Sequence, residues 1–546
     1  MHKLLLSIFL ALLPFILNLL SFNASAENAG LENLASEEAQ SWVDSVMNSL
    51  TLRQKIAQLF MVAAYSNGSQ EHIDEISELV RDEKIGGLCF FQGGPVRQAQ
   101  QTNYYQSLAE VPLLISMDAE WGLGMRLDSA TSYPRQMMLG AMDDNRLVYH
   151  MGADIGKQLK RLGVHINFAP VVDINNNPKN PVINTRAFGE DKEQVTQKGL
   201  AYMLGLQDNG VLACAKHFPG HGDTDTDSHH TLPLLNHSSQ RIDSLELYPF
   251  RQLIQNGVAG VMVAHMEVPS IESQKNIPSS LSHNTINGLL KSELNFSGLV
   301  ITDALNMKGV SEGRKPRDVN IMALMAGNDI LLFPSEVAES IKKIEHLVKR
   351  GKFPIEEIEA RCRKIIRTKY RVGLSRNKPI VIDGLIDDLN TPNSEYLVRQ
   401  IVGQAITVLN NNEDLIPLRG IDKLKIAYVE IGEGQGTHFN NQLKLYSPIT
   451  SFSIGATPTE QELDDLLHNL GNYNLVLIGY HCLSSSPIKN FNVSPQVLDF
   501  LDKVARKKRT ILSLFGTPYA LGKLNNTFIH DALIVSYDNS PITQSL

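Results

Sequence analysis

The chain has 546 residues, 43% apolar and 20% charged, with a formal net charge of −8. Such a composition belongs to a folded chain with enough length for two or three cores, which excludes disorder. The acidic balance and the lack of a dense Lys/Arg run argue against nucleic acid or an anionic membrane surface as partner, both of which need a basic face.

At the N-terminus, Lys3 precedes an apolar stretch from Leu4 to Leu20 that is interrupted by Pro14. Ala24-Ser25-Ala26 then supplies the small-x-small pattern at which secretory signals are cut. Residues 1–26 therefore read as a signal peptide, and the expected product is exported, periplasmic or secreted, with no stable membrane insertion after cleavage. An uncleaved anchor is the competing reading, since the stretch approaches the shortest spanning length. Cys89, Cys214, Cys362 and Cys482 are far apart and form no ligand pattern; buried free thiols are expected, because a core of this size does not need disulfides.

From about residue 45 strands and helices alternate. Leu52, Ile56, Leu59 and Phe60 fall on one helical face, and the apolar run Ile85 to Phe91 follows as a strand. Five further apolar runs each end on an ionisable residue. Leu113 to Met117 meets Asp118, Phe168 to Val172 meets Asp173, and Val211 to Ala215 meets Lys216. Val261 to Ala264 meets His265, and Leu299 to Thr302 meets Asp303. Strands that deliver charged groups at their C-terminal ends predict a (β/α)8 barrel, the TIM-barrel fold, with its active site on that rim.

The run from Lys216 to His230 places eight ionisable side chains in fifteen residues, on a backbone carrying Pro219, Gly220 and Gly222. It reads as a strand spilling into a catalytic loop. His217 and His221 have the i, i+4 spacing of a zinc site, but that spacing aims two rings at one ion only on a helix, which the proline and glycines oppose. Asp223, Asp225 and Asp227 begin like a calcium loop, yet Ser228 and Leu234 stand where glycine and a bidentate glutamate are required. No metal and no cofactor are expected, and a solvated polar loop without chemistry is the remaining alternative.

Ser335 is expected to cap a helix with Glu336 in its first turn and Val337, Ile341, Ile344 and Val348 as its buried stripe. Residues 40–374 thus form the barrel domain and residues 375–394 a polar, turn-prone linker. Beyond it, Ile406 to Leu409, Ile426 to Ile431, Leu475 to Tyr480, Ile511 to Phe515 and Ala532 to Tyr537 read as buried strands separated by helix-length segments. Residues 395–546 are accordingly a smaller α/β layered sandwich, and the chain stops at Pro541 to Leu546 where a covering helix should begin, as an incomplete domain would.

Lys216-His217-Phe218-Pro219-Gly220-His221-Gly222 with Asp227-Ser228-His229 resembles the signature of the bacterial β-N-acetylglucosaminidases of glycoside hydrolase family 3. Ile301-Thr302-Asp303-Ala304-Leu305-Asn306-Met307 is similar to that family's nucleophile strand, Asp118-Ala119-Glu120 with Arg126 to its substrate-binding segment, and Thr185-Arg186-Ala187-Phe188-Gly189 to its arginine turn. One departure is Trp121-Gly122-Leu123-Gly124, where members of the family commonly carry a Gly-Gly pair after the glutamate; it alters the shape of that pocket wall.

The resemblance implies a retaining glycosidase with Asp303 as nucleophile and, in place of the usual second carboxyl group, His229 as acid/base with Asp227 as its partner. Imidazole suits that work near neutral pH, since its reference pKa is about 6.5. Neighbouring His230 is the alternative donor. Asp118, Arg126, Arg186, Lys216 and His217 are the implied sugar-binding residues, with a structural ion-pair role as the alternative for the two arginines. The implied substrate carries terminal β-linked N-acetylglucosamine, as on a peptidoglycan fragment or muropeptide. A family 3 β-glucosidase or β-xylosidase, a phosphorolytic β-N-acetylglucosaminidase, and a sugar-binding protein without turnover are the competing expectations.

Overall fold

The computed structural model describes residues 33–227, 231–432 and 437–546; the segment read as a signal peptide lies outside them. Eight strands form one parallel sheet: β1 (Phe60–Tyr65), β2 (Gly87–Phe91), β3 (Leu114–Met117), β4 (Ile166–Asn167), β5 (Leu212–Phe218), β6 (Gly260–Val263), β7 (Leu299–Thr302) and β8 (Leu331–Leu332). Each pairs with its sequence neighbour and β1 pairs with β8. The Ile301–Ile330 bridge closes the ring between β7 and β8, which makes the sheet a barrel. Most strand residues are buried, as expected where a helical layer covers the outside and side chains fill the inside.

Some elements depart from the sequence expectation. Leu59 and Phe60 do not continue the first helical face: the helix Leu52–Ala57 ends and Phe60 begins β1. The strand expected over 168–172 is the two-residue β4 at 166–167, and beyond it Val171 makes only an isolated bridge to Lys216. Pro170 has no N–H for a ladder. Conversely β5 runs on to Phe218, so Lys216 and His217 are strand residues rather than loop residues. Ser335 does not cap the helix Val337–Lys349; Glu336 occupies that position in a left-handed conformation without a capping bond, while the Ser335 carbonyl accepts from Asn320 Nδ2 at 2.8 Å. The stripe Val337, Ile341, Ile344 and Val348 is buried.

Two long outer helices fix the rim behind β3 and β4. Asn145–Arg161 is capped by Asp144, and Lys192–Asp208 by Asp191, each carboxylate accepting an N–H of the first turn. They pack closely enough that a Cβ on Gly205 would lie 2.3 Å from the Tyr149 carbonyl oxygen, so only glycine fits. The segment after the barrel is strapped to it rather than loose. Leu385 and Leu389 of a short helix are buried, and Asn103 Nδ2 donates to the Ile380 carbonyl at 2.9 Å.

The second sheet has the order β11-β10-β12-β13-β14-β9, built from β9 (Thr407–Asn411), β10 (Ile426–Gly432), β11 (Ile449–Gly455), β12 (Leu475–Tyr480), β13 (Arg509–Leu514) and β14 (Ala532–Val535). All pairs are parallel except β14–β9. Ala427, Val429 and Ile431 of β10 join one apolar cluster and Ile426 and Tyr428 the other, so both faces are covered, an α/β sandwich. β9 is not a buried strand: it is the antiparallel edge, with Val408 and Leu409 47% and 41% exposed. β11, the opposite edge, is half-exposed, which is why its Thr- and Ser-bearing sequence carries no buried-strand pattern. Cys89, Cys214 and Cys362 are buried free thiols.

Candidate active site

Asp118, Lys216, His217, His265 and Asp303 all stand at or just past the C-terminal ends of barrel strands. Lys216 is 2% exposed, and its ammonium lies 2.7 Å from Asp118 Oδ1 and 2.8 Å from Glu120 Oε1. Asp118 Oδ2 also accepts from Arg126 Nη2 at 2.8 Å. Glu120, fully buried, takes a forked pair from Arg186, Nε to Oε2 at 3.0 Å and Nη2 to Oε1 at 2.7 Å. Burial alone would raise the Glu120 carboxyl, but Arg186 and Lys216 outweigh it and hold the group far below the usual range. Lys216 is held the other way: burial disfavours its charge, yet Asp118 and Glu120 raise it.

The alternation continues through His217. Its Nδ1 lies 2.7 Å from Asp173 Oδ2, and its Nε2 lies 3.3 Å from Arg186 Nη2. Arginine can only donate, so Nε2 accepts and the ring carries its proton on Nδ1, facing Asp173. The backbone N–H groups of His217 and His221 donate to Asp173 Oδ1 at 3.1 and 2.7 Å. Against burial, the His217 and His221 imidazoles and these contacts lower the Asp173 carboxyl.

Asp303 follows β7, its N–H bonded to the Val263 carbonyl at 2.9 Å and its Oδ1 accepting the Ala304 N–H at 2.8 Å. Burial opposes its charge, but His265, His217, the Ala304 N–H and Lys216 hold the carboxyl down to about 2. It is therefore an ionised, partly exposed carboxylate at neutral pH. His265 is fixed beside it, Nδ1 2.6 Å from Ser280 Oγ and Nε2 donating to the Ala304 carbonyl at 2.9 Å.

The loop after β5 packs tightly on the segment after β4. A Cβ on Gly222 would lie 1.8 Å from the Ile174 carbonyl oxygen, and Asn180 Nδ2 donates to the His221 and Gly222 carbonyls at 2.8 and 3.1 Å. His221 is 1% exposed; its Nδ1 meets Thr224 Oγ1 at 2.8 Å, and burial lowers the ring to about 4. Farther along, the Asp227 carbonyl accepts the Thr231 N–H at 3.0 Å. His229 and His230 lie outside the described residues.

Of the residues singled out in the sequence, Asp118, Arg126, Arg186, Lys216 and His217 form one connected network. Glu120 at its centre and Asp173 behind His217 were not among the candidate site residues, although Asp173 ended an expected strand and Glu120 lay in the segment similar to the family's substrate-binding one. A signal was present in the i, i+2 spacing of Asp118 and Glu120 opposite two cations. Their support is also visible: Tyr202 Oη lies 3.0 Å from the carbonyls of Ala119 and Glu120, and Gln136 Nε2 donates to the latter at 2.7 Å. At the departing wall Trp121 is half-buried, with the Arg135 guanidinium 4.6 Å from its ring centre.

Residues 51–368 match the model of the glycosyl hydrolase family 3 N-terminal domain. The chain belongs to glycoside hydrolase family 3. Among relatives, it is 31% identical over 440 residues to beta-hexosaminidase A of Pseudoalteromonas piscicida, covering 74% of this chain and 72% of the relative. It is 27% identical over 390 residues to the beta-N-acetylglucosaminidase/beta-glucosidase of Cellulomonas fimi, covering 70% and 68%. Among solved structures, a family 3 beta-N-acetylglucosaminidase from Paenibacillus sp. str. FPU-7 superposes with a TM-score of 0.76 at 31% identity, covering 91% of this chain and 95% of that one. This family 3 chain thus shares both of its domains with that structure.

Proposed function

We propose that this family 3 protein is a retaining β-N-acetylhexosaminidase that removes terminal β-linked N-acetylglucosamine. The observation that carries the reading is the Asp303 carboxylate at the end of β7, ionised beside the rim that holds Lys216 and His217. The printed activities of the Pseudoalteromonas and Paenibacillus relatives support the same sugar. In the proposed first step Asp303 attacks C1, the glycosidic bond breaks, and its electron pair leaves on the aglycone oxygen, which takes a proton from His229. In the second, His229 takes a proton from water, whose oxygen attacks C1 and frees Asp303. Asp227 stabilises the cationic ring. Asp118, Arg126, Arg186, Lys216 and His217 grip the sugar hydroxyls and acetamido group. We place the protein outside the cytoplasm, acting on cell-wall fragments.

The test compares 4-nitrophenyl N-acetyl-β-glucosaminide with the corresponding glucoside, with and without phosphate. The expected result is preferred hydrolysis of the amino sugar, no phosphate dependence, and the β-anomer as first product. His229→Ala is expected to lower turnover by roughly 10² to 10⁴-fold; a loss under about threefold removes His229 from the mechanism. Survival of hydrolysis in Asp303→Gly would reject Asp303 as nucleophile. Mass analysis of defined muropeptides, reading loss of one N-acetylhexosamine, tests the cell-wall assignment. The dual name of the Cellulomonas relative favours measurable glucoside cleavage as a second, weaker activity.

A further inference from the structure

The second domain grips the barrel at the segment between Asp173 and Gly189. Asn175 lies two residues beyond Asp173 and is 1% exposed. Its Nδ2 donates to the Tyr519 hydroxyl at 2.5 Å, and that hydroxyl donates back to the Asn175 carbonyl at 3.3 Å. Asn184 lies two residues before Arg186, and its Nδ2 donates to the Ser485 carbonyl at 2.8 Å. Tyr519 belongs to the helical turn Pro518–Lys523 after β13, and Ser485 to the connection after β12. Both are thus offered by the C-terminal end of the second sheet. The Tyr519 ring sits 6.2 Å from that of Phe491, which is buried with Val493 and Ala520.

Both of these anchors therefore engage a barrel residue two positions from a charged group of the pocket. Between the anchors the backbone is irregular apart from the turn Asn184–Arg186, and Asn180 links it to the loop carrying His221 and Asp227. A displacement of this segment would shift Asp173, which holds His217, and Arg186, which holds Glu120. Misplacing such groups by about 1 Å can cost on the order of 10²-fold in rate.

We propose that Tyr519 and the Ser485 carbonyl make the second domain a clamp that positions His217 and Arg186 on the bound sugar. The inference deepens the function proposed above and rests on it for the identity of that sugar. Tyr519 is a positioning residue; it acts through Asn175.

Tyr519→Phe keeps the ring against Phe491 and removes both hydrogen bonds. It is expected to raise KM for the N-acetylglucosaminide about tenfold while kcat changes less than about threefold. Asn175→Ala added to it should cost less than a further twofold, because the two residues act as one unit. Asn184→Gly preserves the left-handed backbone at this position, where φ is 38°, and removes the second anchor. It should raise KM independently. Tyr446→Ser, at a side chain 77% exposed on the same domain, is expected to leave KM unchanged. Calorimetric binding of N-acetylglucosamine supplies a readout that does not need turnover. If the unsubstituted protein binds the sugar without cleaving it, the hydrolase reading fails while the clamp is still judged by affinity. KM and sugar affinity within twofold of the parent in both Tyr519→Phe and Asn184→Gly overturn the clamp.

Discussion

Lys216 is the hinge of the charge network, a buried ammonium shared by two carboxylates that each have a second cation. Lys216→Met leaves Asp118 with Arg126 and Glu120 with Arg186, but removes the charge that joins the pairs. Breaking a buried ion pair from one side typically costs about 3–5 kcal/mol, because the stranded charge stays desolvated. We expect a loss of that order in urea unfolding, with sugar affinity falling as well. Lys216→Arg should not rescue it, since a planar fork does not replace a compact ammonium between two anions. A loss under about 1 kcal/mol would mean that water takes the place of the ammonium. At this scale the placement of charged groups on the rim was legible in residue type and order, since Asp118, Asp173, Lys216, His265 and Asp303 each ended an apolar run. What was not legible was burial. Nothing local distinguishes Glu120, sealed under two cations, from an exposed glutamate three residues past a strand.

The helix Ile355–Arg371 carries a different buried cation. Lys369 is fully buried, with its Nζ 2.6 Å from Gln58 Oε1, and burial presses it down to about 7. Between about pH 7 and 10 the folded protein has shed this proton while an unfolded lysine, near 10.4, keeps it. The unfolded chain then binds more protons, so stability rises with pH across that window. Lys369→Met should flatten this rise in denaturant midpoints measured from pH 7 to 9.5; an unchanged slope would assign the rise to other groups. The elements themselves were legible where periodicity was strong and edges were absent. β5, β6, β7 and the buried stripe of Val337–Lys349 fall where apolar runs demand. The misses are edge strands and interrupted ones: β9 and β11 border the second sheet, and β4 is cut short before Pro170. Their sequences answer to a neighbour or to its absence, which a local pattern does not record.

Across the whole molecule, acid acts on two sets of groups with the same sign. His165, His221 and His530 are each held by burial down to about 4, whereas an unfolded histidine titrates near 6.5. Below about pH 6.5 the unfolded chain takes up protons that the folded one refuses, so stability falls from there towards pH 4. Asp303, held near 2, and Asp118, Asp173 and Glu120, all lowered by their cation or imidazole partners despite burial, stabilise the fold above the unfolded carboxyl range. That contribution is lost as pH drops below about 4. Urea midpoints at pH 7, 5.5, 4.5 and 3.5 should therefore fall in two stages; a midpoint constant from 6.5 to 4.5 would reject the histidine part. The two-domain division was legible from composition and strand spacing. The grip of one domain on the other was not, since Tyr519 and Asn175 are 344 residues apart in the chain.

The buried thiols carry a practical corollary. Cys89, Cys214 and Cys362 are sealed from solvent, so a maleimide should pass them by in the folded polypeptide and alkylate them only once denaturant opens the interior.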